Sequence, residues 1–351
     1  MRKIRVGVVG VGAIAHIFHL PNYQKHPQVE LAAVTDLDAE RARKAAEDWG
    51  AVHYDSADEM FAEADLDAVS ICTFNASHGE LAIRAMEAGL DVLVEKPMTA
   101  AVAEAERLAQ AVQRSGRILM VGMSSRYRND VRALKGIIEA DELGDIYFAK
   151  ARIIRRRGVP LGWFTSKALS GGGPMMDIGV HALDAAWWLM GMPKPDNVLG
   201  RLFRRIAPYE TKVDGFYEAM SADNKADSVY DVEDMGTAYL TFDNGAALTV
   251  EASWAANGVQ DDAMKIELYG TKGGASLDPL FMFKEANLIP VESRLSIAEN
   301  DYYREEIDHF VQCVIHRKQP VSDVLQGLAV MRLLDAIGRS SEDGGAVRLQ
   351  G

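Results

Sequence analysis

Lys96 stands between the apolar run Val92-Leu93-Val94-Glu95 and Pro97, and Asp177 precedes His181 by four residues, just after Gly171-Gly172-Gly173-Pro174. An imidazole, with an ordinary pKa of about 6.5, exchanges a proton near neutrality. A carboxylate beside it orients the ring or binds a substrate hydroxyl. An ammonium at a strand tip hydrogen-bonds a substrate hydroxyl and stabilises negative charge developing on its oxygen. Taken alone, each has a plainer reading: a lysine after a strand is a surface lysine, and a histidine opening an apolar helix is a packed core residue. Position gives them weight. Pro97 has no N–H to continue a sheet ladder, so Lys96 is expected at the end of its strand. A helix beginning near Asp177 puts carboxylate and imidazole on one face.

The elements that must position these groups start at the N-terminus. Gly10-Val11-Gly12-Ala13-Ile14-Ala15 lies between the apolar run Ile4–Val9 and a helical pattern, and Asp36 follows 21 residues after Ala15. Gly10 permits a tight turn, Gly12 lets a pyrophosphate approach the backbone, and small Ala15 lets helix and strand pack closely. A glycine-rich turn alone is also found at ordinary strand-to-helix connections. Here Glu30–Asp36 reads as a second buried parallel strand whose terminal carboxylate accepts from a ribose hydroxyl pair, which points to a dinucleotide. A 2′-phosphate would face Asp36, and Leu37 follows rather than an arginine, so NAD is favoured over NADP; Arg41 and Arg43 lie on the next helix.

At 351 residues the chain exceeds what one core usually holds, and two domains are expected, 1–123 and 124–351. In the first, Ile4–Val9, Leu31–Thr35, Val52–Tyr54, Ala68–Cys72, Val92–Val94 and Leu119–Gly122 alternate with helical segments, the pattern of an α/β, doubly wound parallel sheet. The second has longer alternating runs, Ile146–Arg155, Gly236–Phe242, Ala247–Ser253 and Met264–Tyr269, with Asp243-Asn244-Gly245 as a hairpin signal. It reads as a mostly antiparallel sheet with helices at Gly179–Met190, Tyr302–His316 and Val324–Ser340. The stretch 209–232 reads as a surface loop or an excursion over an active site.

A net charge of −13 argues against general affinity for nucleic acid or anionic membranes. Arg155-Arg156-Arg157, with Arg152, is read as a strand end, with an anion site as the alternative. Cys72 and Cys313 are too few for a disulfide framework or a thiolate zinc site, and a reducing cytoplasm fits. Met1-Arg2-Lys3 before an apolar run resembles a secretory signal, but Arg5 interrupts it and its glycines belong to the nucleotide turn. No run of about 18 apolar residues occurs, so no membrane span is expected. A metal reading would use His16, His19, His78 or His181 with Asp177, at spacings that do not converge, and no metal is expected.

Gly10, Gly12, Ala15, Asp36, the Glu95-Lys96-Pro97 triplet and the glycine-rich approach to Asp177 and His181 together resemble the Gfo/Idh/MocA oxidoreductases, the glucose-fructose oxidoreductase and inositol dehydrogenase relatives, along essentially the whole chain. The resemblance implies an N-terminal Rossmann domain and a C-terminal α/β domain whose open, mostly antiparallel sheet often forms a homo-oligomer interface, as dimer or tetramer. It implies a cofactor set of Gly10, Gly12, Ala13, Ile14, Ala15, Asp36, Leu37, Thr73, Asn75, His78, Glu95 and Lys96. Phe74 stands where the family often has proline. Lys96, Asp177 and His181 take catalytic and substrate-binding positions, and Arg126, Tyr127 and Trp163 fall where such proteins frequently line the sugar pocket, with core or surface packing as the alternative for each. The implied reaction moves a hydride between a sugar, glycoside or inositol hydroxyl carbon and nicotinamide, with His181 exchanging the hydroxyl proton and Lys96 steadying the oxygen. The alternatives are an NADP-linked reductase of a ketosugar or other carbonyl, and an NAD-binding regulator that turns nothing over.

Overall fold

The computed structural model describes residues 2–208, 229–258 and 261–349. The chain divides into two compact units, one of residues 1–124 and 301–331, the other of 125–300 and 332–351.

In the first unit β1 (Ile4–Val9), β2 (Val29–Thr35), β3 (Val52–His53), β4 (Ala68–Ile71), β5 (Asp91–Glu95) and β6 (Leu119–Gly122) form a six-stranded sheet in the order β3-β2-β1-β4-β5-β6. Every pairing is parallel. These strands are apolar on both faces because helices cover both. A π-helical turn (Ala15–His19) runs into α1 (Leu20–Lys25), followed by α2 (Ala39–Trp49), α3 (Ala57–Glu63), α4 (Asn75–Glu87) and α5 (Val102–Ser115). The strand order reverses between β1 and β4, so the loops after these strands diverge and leave a crevice at their carboxyl ends, where such sheets take ligands.

The second unit opens with a 3-10 turn (Ser124–Tyr127), α6 (Asn129–Glu139) and β7 (Ile146–Ile154). A 3-10 turn (Gly162–Thr165), α7 (Lys167–Ser170), a π-helical turn (Met175–Gly179) and α8 (Val180–Leu189) follow, then β8 (Pro195–Phe203), β9 (Met235–Phe242), β10 (Ala247–Ser253), β11 (Asp261–Gly270), β12 (Gly274–Leu277), β13 (Phe281–Ala286) and β14 (Ile289–Arg294). With β15 (Val347–Arg348) they make a nine-stranded sheet in the order β14-β13-β12-β11-β7-β10-β9-β8-β15. It is antiparallel except where β7 lies parallel to β10. The β9–β10 hairpin turns at Asp243-Asn244-Gly245, with Gly245 at φ 82° and the Asn244 side chain accepting the Ala246 N–H. Burial alternates along β7 and β9, and α8 packs on β7, β10 and β11.

The two units first divide at 124/125, and the second is interrupted. After β14 the chain re-enters the first unit with α9 (Tyr302–His316) and the start of α10 (Val324–Asp343). Ile307, Phe310, Val311, Cys313 and Val314 of α9 are buried, and the helix packs on α1 and on the π-helical turn before it. Polar ties hold the segment there. Gln312 Nε2 donates to Gln28 Oε1 at 2.8 Å, Ser322 Oγ donates to the Val121 carbonyl at 2.6 Å, and Arg317 pairs with buried Asp91. An amphipathic pattern states that a helix has a buried face, not which sheet receives it.

Residues 209–228 of the 209–232 stretch lie outside the described residues. Its far end is anchored: Thr165 Oγ1 donates to the Val229 carbonyl at 2.7 Å, and Asp231 Oδ1 accepts the Lys167 N–H at 2.6 Å. Arg155–Arg157 continue past β7 beside 253–257, where the Arg155 N–H donates to Ser253 O at 2.9 Å and Arg157 donates to the Asn257 side chain at 2.9 Å. Among the described residues no helix is long and apolar enough to cross a membrane, and no group of three or more His, Cys, Asp or Glu side chains is arranged to hold a metal ion.

Candidate active site

In the first unit Gly10 sits at φ +84°, and a Cβ there would lie 2.8 Å from both the Cys72 carbonyl oxygen and Thr73 Cγ2. Only glycine fits, because the start of the turn lies against the end of β4 before the two connections part. At Gly12 a Cβ would meet nothing within 4 Å, so the turn keeps an open face just before the helix that starts at Ala13 and Ile14. Ala15 is fully buried against the sheet. Asp36 accepts the Val11 N–H at 2.8 Å and the Asp38 N–H at 2.9 Å. A carboxylate has about four acceptor sites, so Asp36 ties the turn down and keeps capacity for ribose hydroxyls. Arg41 is drawn toward Asp36 (3.8 Å) and Asp38 (3.5 Å), while Leu37 is 92% exposed. An open glycine face, a helix start and a fixed acid fit a dinucleotide.

β5 ends at Glu95, and from Asp91 through Thr99 Lys96 alone is not buried. In the β4 loop Phe74 adopts φ −76°, the value proline would impose, so the departure from proline keeps the backbone path, and buried Asn75 opens α4. Thr73 Oγ1 is 2.6 Å from Ser77 Oγ within the first turn of that helix.

Two members of the expected cofactor set serve the scaffold instead. His78 is buried, with Nδ1 2.9 Å from Pro97 O and Nε2 3.0 Å from Thr73 O, so its ring spans the β4 and β5 loops and does not face a ligand. Burial pushes its pKa below the ordinary value, against the pull of those two carbonyls. Glu95 is buried too. Its Oε1 lies 2.8 Å from His19 Nε2 and its Oε2 accepts the Lys96 N–H at 3.2 Å. An ionised carboxyl is costly to bury, and these donors are what the fold supplies to it.

In the second unit the π-helical turn Met175–Gly179 joins α8 end to end, a wider turn of the kind that recurs at functional sites. From Gly172 through Trp187 every residue is buried except Asp177 and His181. The four-residue spacing therefore places carboxylate and imidazole on the one open stripe of an otherwise buried helix. Two residues that the spacing gave no hint of hold this stripe. Fully buried Trp254, just after β10, donates its indole N–H to Asp177 Oδ2 at 3.1 Å. Glu233 Oε1 accepts the Met175 N–H at 3.3 Å. Burial raises the Glu233 carboxyl above the usual range, although the N–H groups of Gly173 and Met175 oppose it.

A Trp254→Phe variant keeps the ring and loses the donor. A hydrogen bond to a charged group contributes about 1.5–3 kcal/mol, so a roughly tenfold or greater fall in kcat/KM for substrate is expected, with NAD affinity unchanged, measured by steady-state kinetics and cofactor titration.

Arg126 and Tyr127, expected in a sugar pocket, are each only 1% exposed. Arg126 Nε and Nη2 donate to the two oxygens of buried Asp184 at 2.8 and 2.7 Å, and its guanidinium lies over Trp188. Arg132 lies over the Tyr127 ring. A guanidinium clamped in this way serves packing. Arg126→Ala should lower the unfolding free energy by about 3–5 kcal/mol, read by denaturant titration, because it strands a buried carboxylate. Trp163 remains partly exposed and stacks on Phe164 with ring centroids 3.9 Å apart.

Residues 4–123 match the model of an oxidoreductase family with an NAD-binding Rossmann fold, and residues 131–276 match the GFO/IDH/MocA C-terminal domain. The chain belongs to the Gfo/Idh/MocA oxidoreductase family. This Gfo/Idh/MocA protein is 32% identical over 352 residues to D-glucoside 3-dehydrogenase of Escherichia coli strain K12, covering 99% of this chain and 97% of the relative. It is 26% identical to the NAD(+)-dependent scyllo-inositol 2-dehydrogenase of Bacillus subtilis strain 168, covering 91% and 88%. Among solved structures, aldose-aldose oxidoreductase from Caulobacter crescentus, complexed with glycerol, superposes with a TM-score of 0.81 at 25% identity over 99% of this chain and 100% of that one. As a Gfo/Idh/MocA oxidoreductase the chain uses NAD.

Proposed function

We propose that this chain oxidises a secondary hydroxyl of a sugar, glycoside or inositol, with His181 as acid/base, Lys96 stabilising the substrate oxygen and Asp177 holding substrate or imidazole. The observation that carries this reading is the pattern of burial: the ammonium, the carboxylate and the imidazole are the only partly open side chains in two otherwise sealed segments. A group kept open at the end of a buried strand, in a unit with a glycine turn of dinucleotide type, supports a role beside that cofactor. Bound NAD supplies the hydride acceptor; proton and charge are left to the protein. His181 takes the hydroxyl proton on oxidation and returns it on reduction. Lys96 donates a hydrogen bond that strengthens as the oxygen gains charge. Asp177, which accepts the Trp254 indole N–H, holds a substrate hydroxyl or the imidazole N–H.

D-Glucosides are the first substrates to try, since the relative named for D-glucoside oxidation aligns over nearly the whole chain. A panel of aldoses, D-glucosides and inositols with NAD or NADP, followed by reduced-cofactor absorbance, tests the reading; turnover with NAD on a cyclic polyol supports it, and tight NADH binding with no turnover on any member would overturn it. The same proposal includes a homo-oligomer formed through the second sheet, whose outward Tyr147, Leu199, Phe203 and Tyr239 are exposed.

A further inference from the structure

Beneath Lys96 the first unit buries a chain of four polar side chains drawn from separate elements. Tyr23 of α1 has its hydroxyl 2.6 Å from Ser70 Oγ on β4; Ser70 Oγ is 3.2 Å from His19 Nδ1; His19 Nε2 is 2.8 Å from Glu95 Oε1; and Glu95 Oε2 accepts the main-chain N–H of Lys96 at 3.2 Å. All four are buried, and His19 closes the π-helical turn that begins within the dinucleotide motif. Buried polar groups of this number are costly unless each is satisfied, and here the links run in series to one end point.

The direction of the hydrogen bonds is set from both ends. Burial drives the Tyr23 phenol well above its usual range, so it remains an O–H donor. Glu95 lies below the usual carboxyl range: burial raises it, but the hydrogen bond from His19 and the positive charge of Lys96 help to outweigh that. It is thus an ionised acceptor. Glu306 of α9, the other carboxyl facing it, is pushed well up by burial and by Glu95 itself, so it adds no second charge. Glu95 then takes a hydrogen from His19 Nε2, and Tyr23 gives its own to Ser70 Oγ, which lies against His19 Nδ1.

We propose that His19 is a positioning residue for Lys96: the buried chain Tyr23–Ser70–His19–Glu95 fixes the Glu95 carboxylate against the main chain of Lys96 and so holds the ammonium in place at the tip of β5. The proposal rests on the reading that Lys96 steadies the reacting oxygen. It leaves dinucleotide affinity to the glycine turn, so the two properties separate on mutation.

The test combines an isotope measurement with kinetics on the full chain. In ¹⁵N-histidine NMR of the NAD-bound protein, with the His19 signals identified by their loss in His19→Gln, the expected form carries a proton on Nε2, and Ser70→Ala shifts the Nδ1 resonance. An Nε2 without a proton would overturn the proposal. This readout stands whether or not a substrate is found, so its failure is distinct from failure of the dehydrogenase reading. In turnover, His19→Leu should lower kcat about 10- to 100-fold with the Kd for NAD unchanged, and His19→Gln, whose amide N–H replaces Nε2–H, should recover most of the rate. If His19→Leu does not fold, Ser70→Ala and His19→Gln decide alone. Unchanged kcat in Ser70→Ala and His19→Leu, or equal losses in His19→Leu and His19→Gln, would refute the positioning role.

Discussion

His181→Ala should lower kcat by about 10²- to 10⁴-fold, roughly 2.7–5.4 kcal/mol of barrier, while the Kd for NAD hardly changes. The asymmetry follows from placement. His181 lies in the unit that lacks the glycine turn, on the open stripe of α8, so removing its ring leaves both the sheet and the dinucleotide turn intact. A purely structural histidine would lose stability and both binding functions together. Added imidazole should restore part of the rate in the variant, since a small base can occupy the space left by the ring. Steady-state kinetics with and without imidazole, beside cofactor titration, checks this, and near-normal turnover would remove His181 from the mechanism.

Lys96→Ala should be comparably damaging, about 10²- to 10³-fold in kcat, the usual loss when a donor to a charge-developing oxygen is removed. Here the cause is electrostatic. The ammonium stands at the end of β5 next to a buried carboxylate that the His19 hydrogen bond keeps ionised, and the hydrogen bond it offers matters most when the substrate oxygen approaches an alkoxide. Lys96→Met, which keeps the length of the side chain and loses the charge, should be as slow as Lys96→Ala. If Lys96→Met retains the rate, packing rather than charge is what Lys96 provides.

The nucleotide domain was largely legible because its strands are sealed on both faces. β1 and β6 run Ile4–Val9 and Leu119–Gly122, the bounds their apolar runs imply, and β10 runs Ala247–Ser253 likewise. β12, β13 and β14 escaped notice: β12 has only four residues, and β13 and β14 are largely exposed, so neither a long period nor a buried run marks them. The return of α9 to the first unit was hidden for another reason, that helical periodicity does not name the surface a helix covers.

At the site, motifs located residues but not the direction of their side chains. Glu95 and His78 lie where the cofactor motif puts them, yet both turn inward and link loops to one another. Arg126 likewise looked like a ligand for sugar oxygens and is paired with Asp184, 58 positions away. Trp254 lies 77 positions from the Asp177 it holds, a contact no local spacing encodes. The stripe of Asp177 and His181 was legible because the fold leaves the helix continuous there and the four-residue rule applies.

We propose that the ammonium of Lys96 and the imidazole of His181 serve one substrate oxygen in one step. Single-turnover rates of Lys96→Ala, His181→Ala and the double variant, at saturating NAD and a substrate found in the panel, test it most directly. Groups that act as a unit are strongly non-additive, so the double variant should be no more than about tenfold slower than the slower single variant. A double variant whose loss is the full product of the two single losses would contradict the claim.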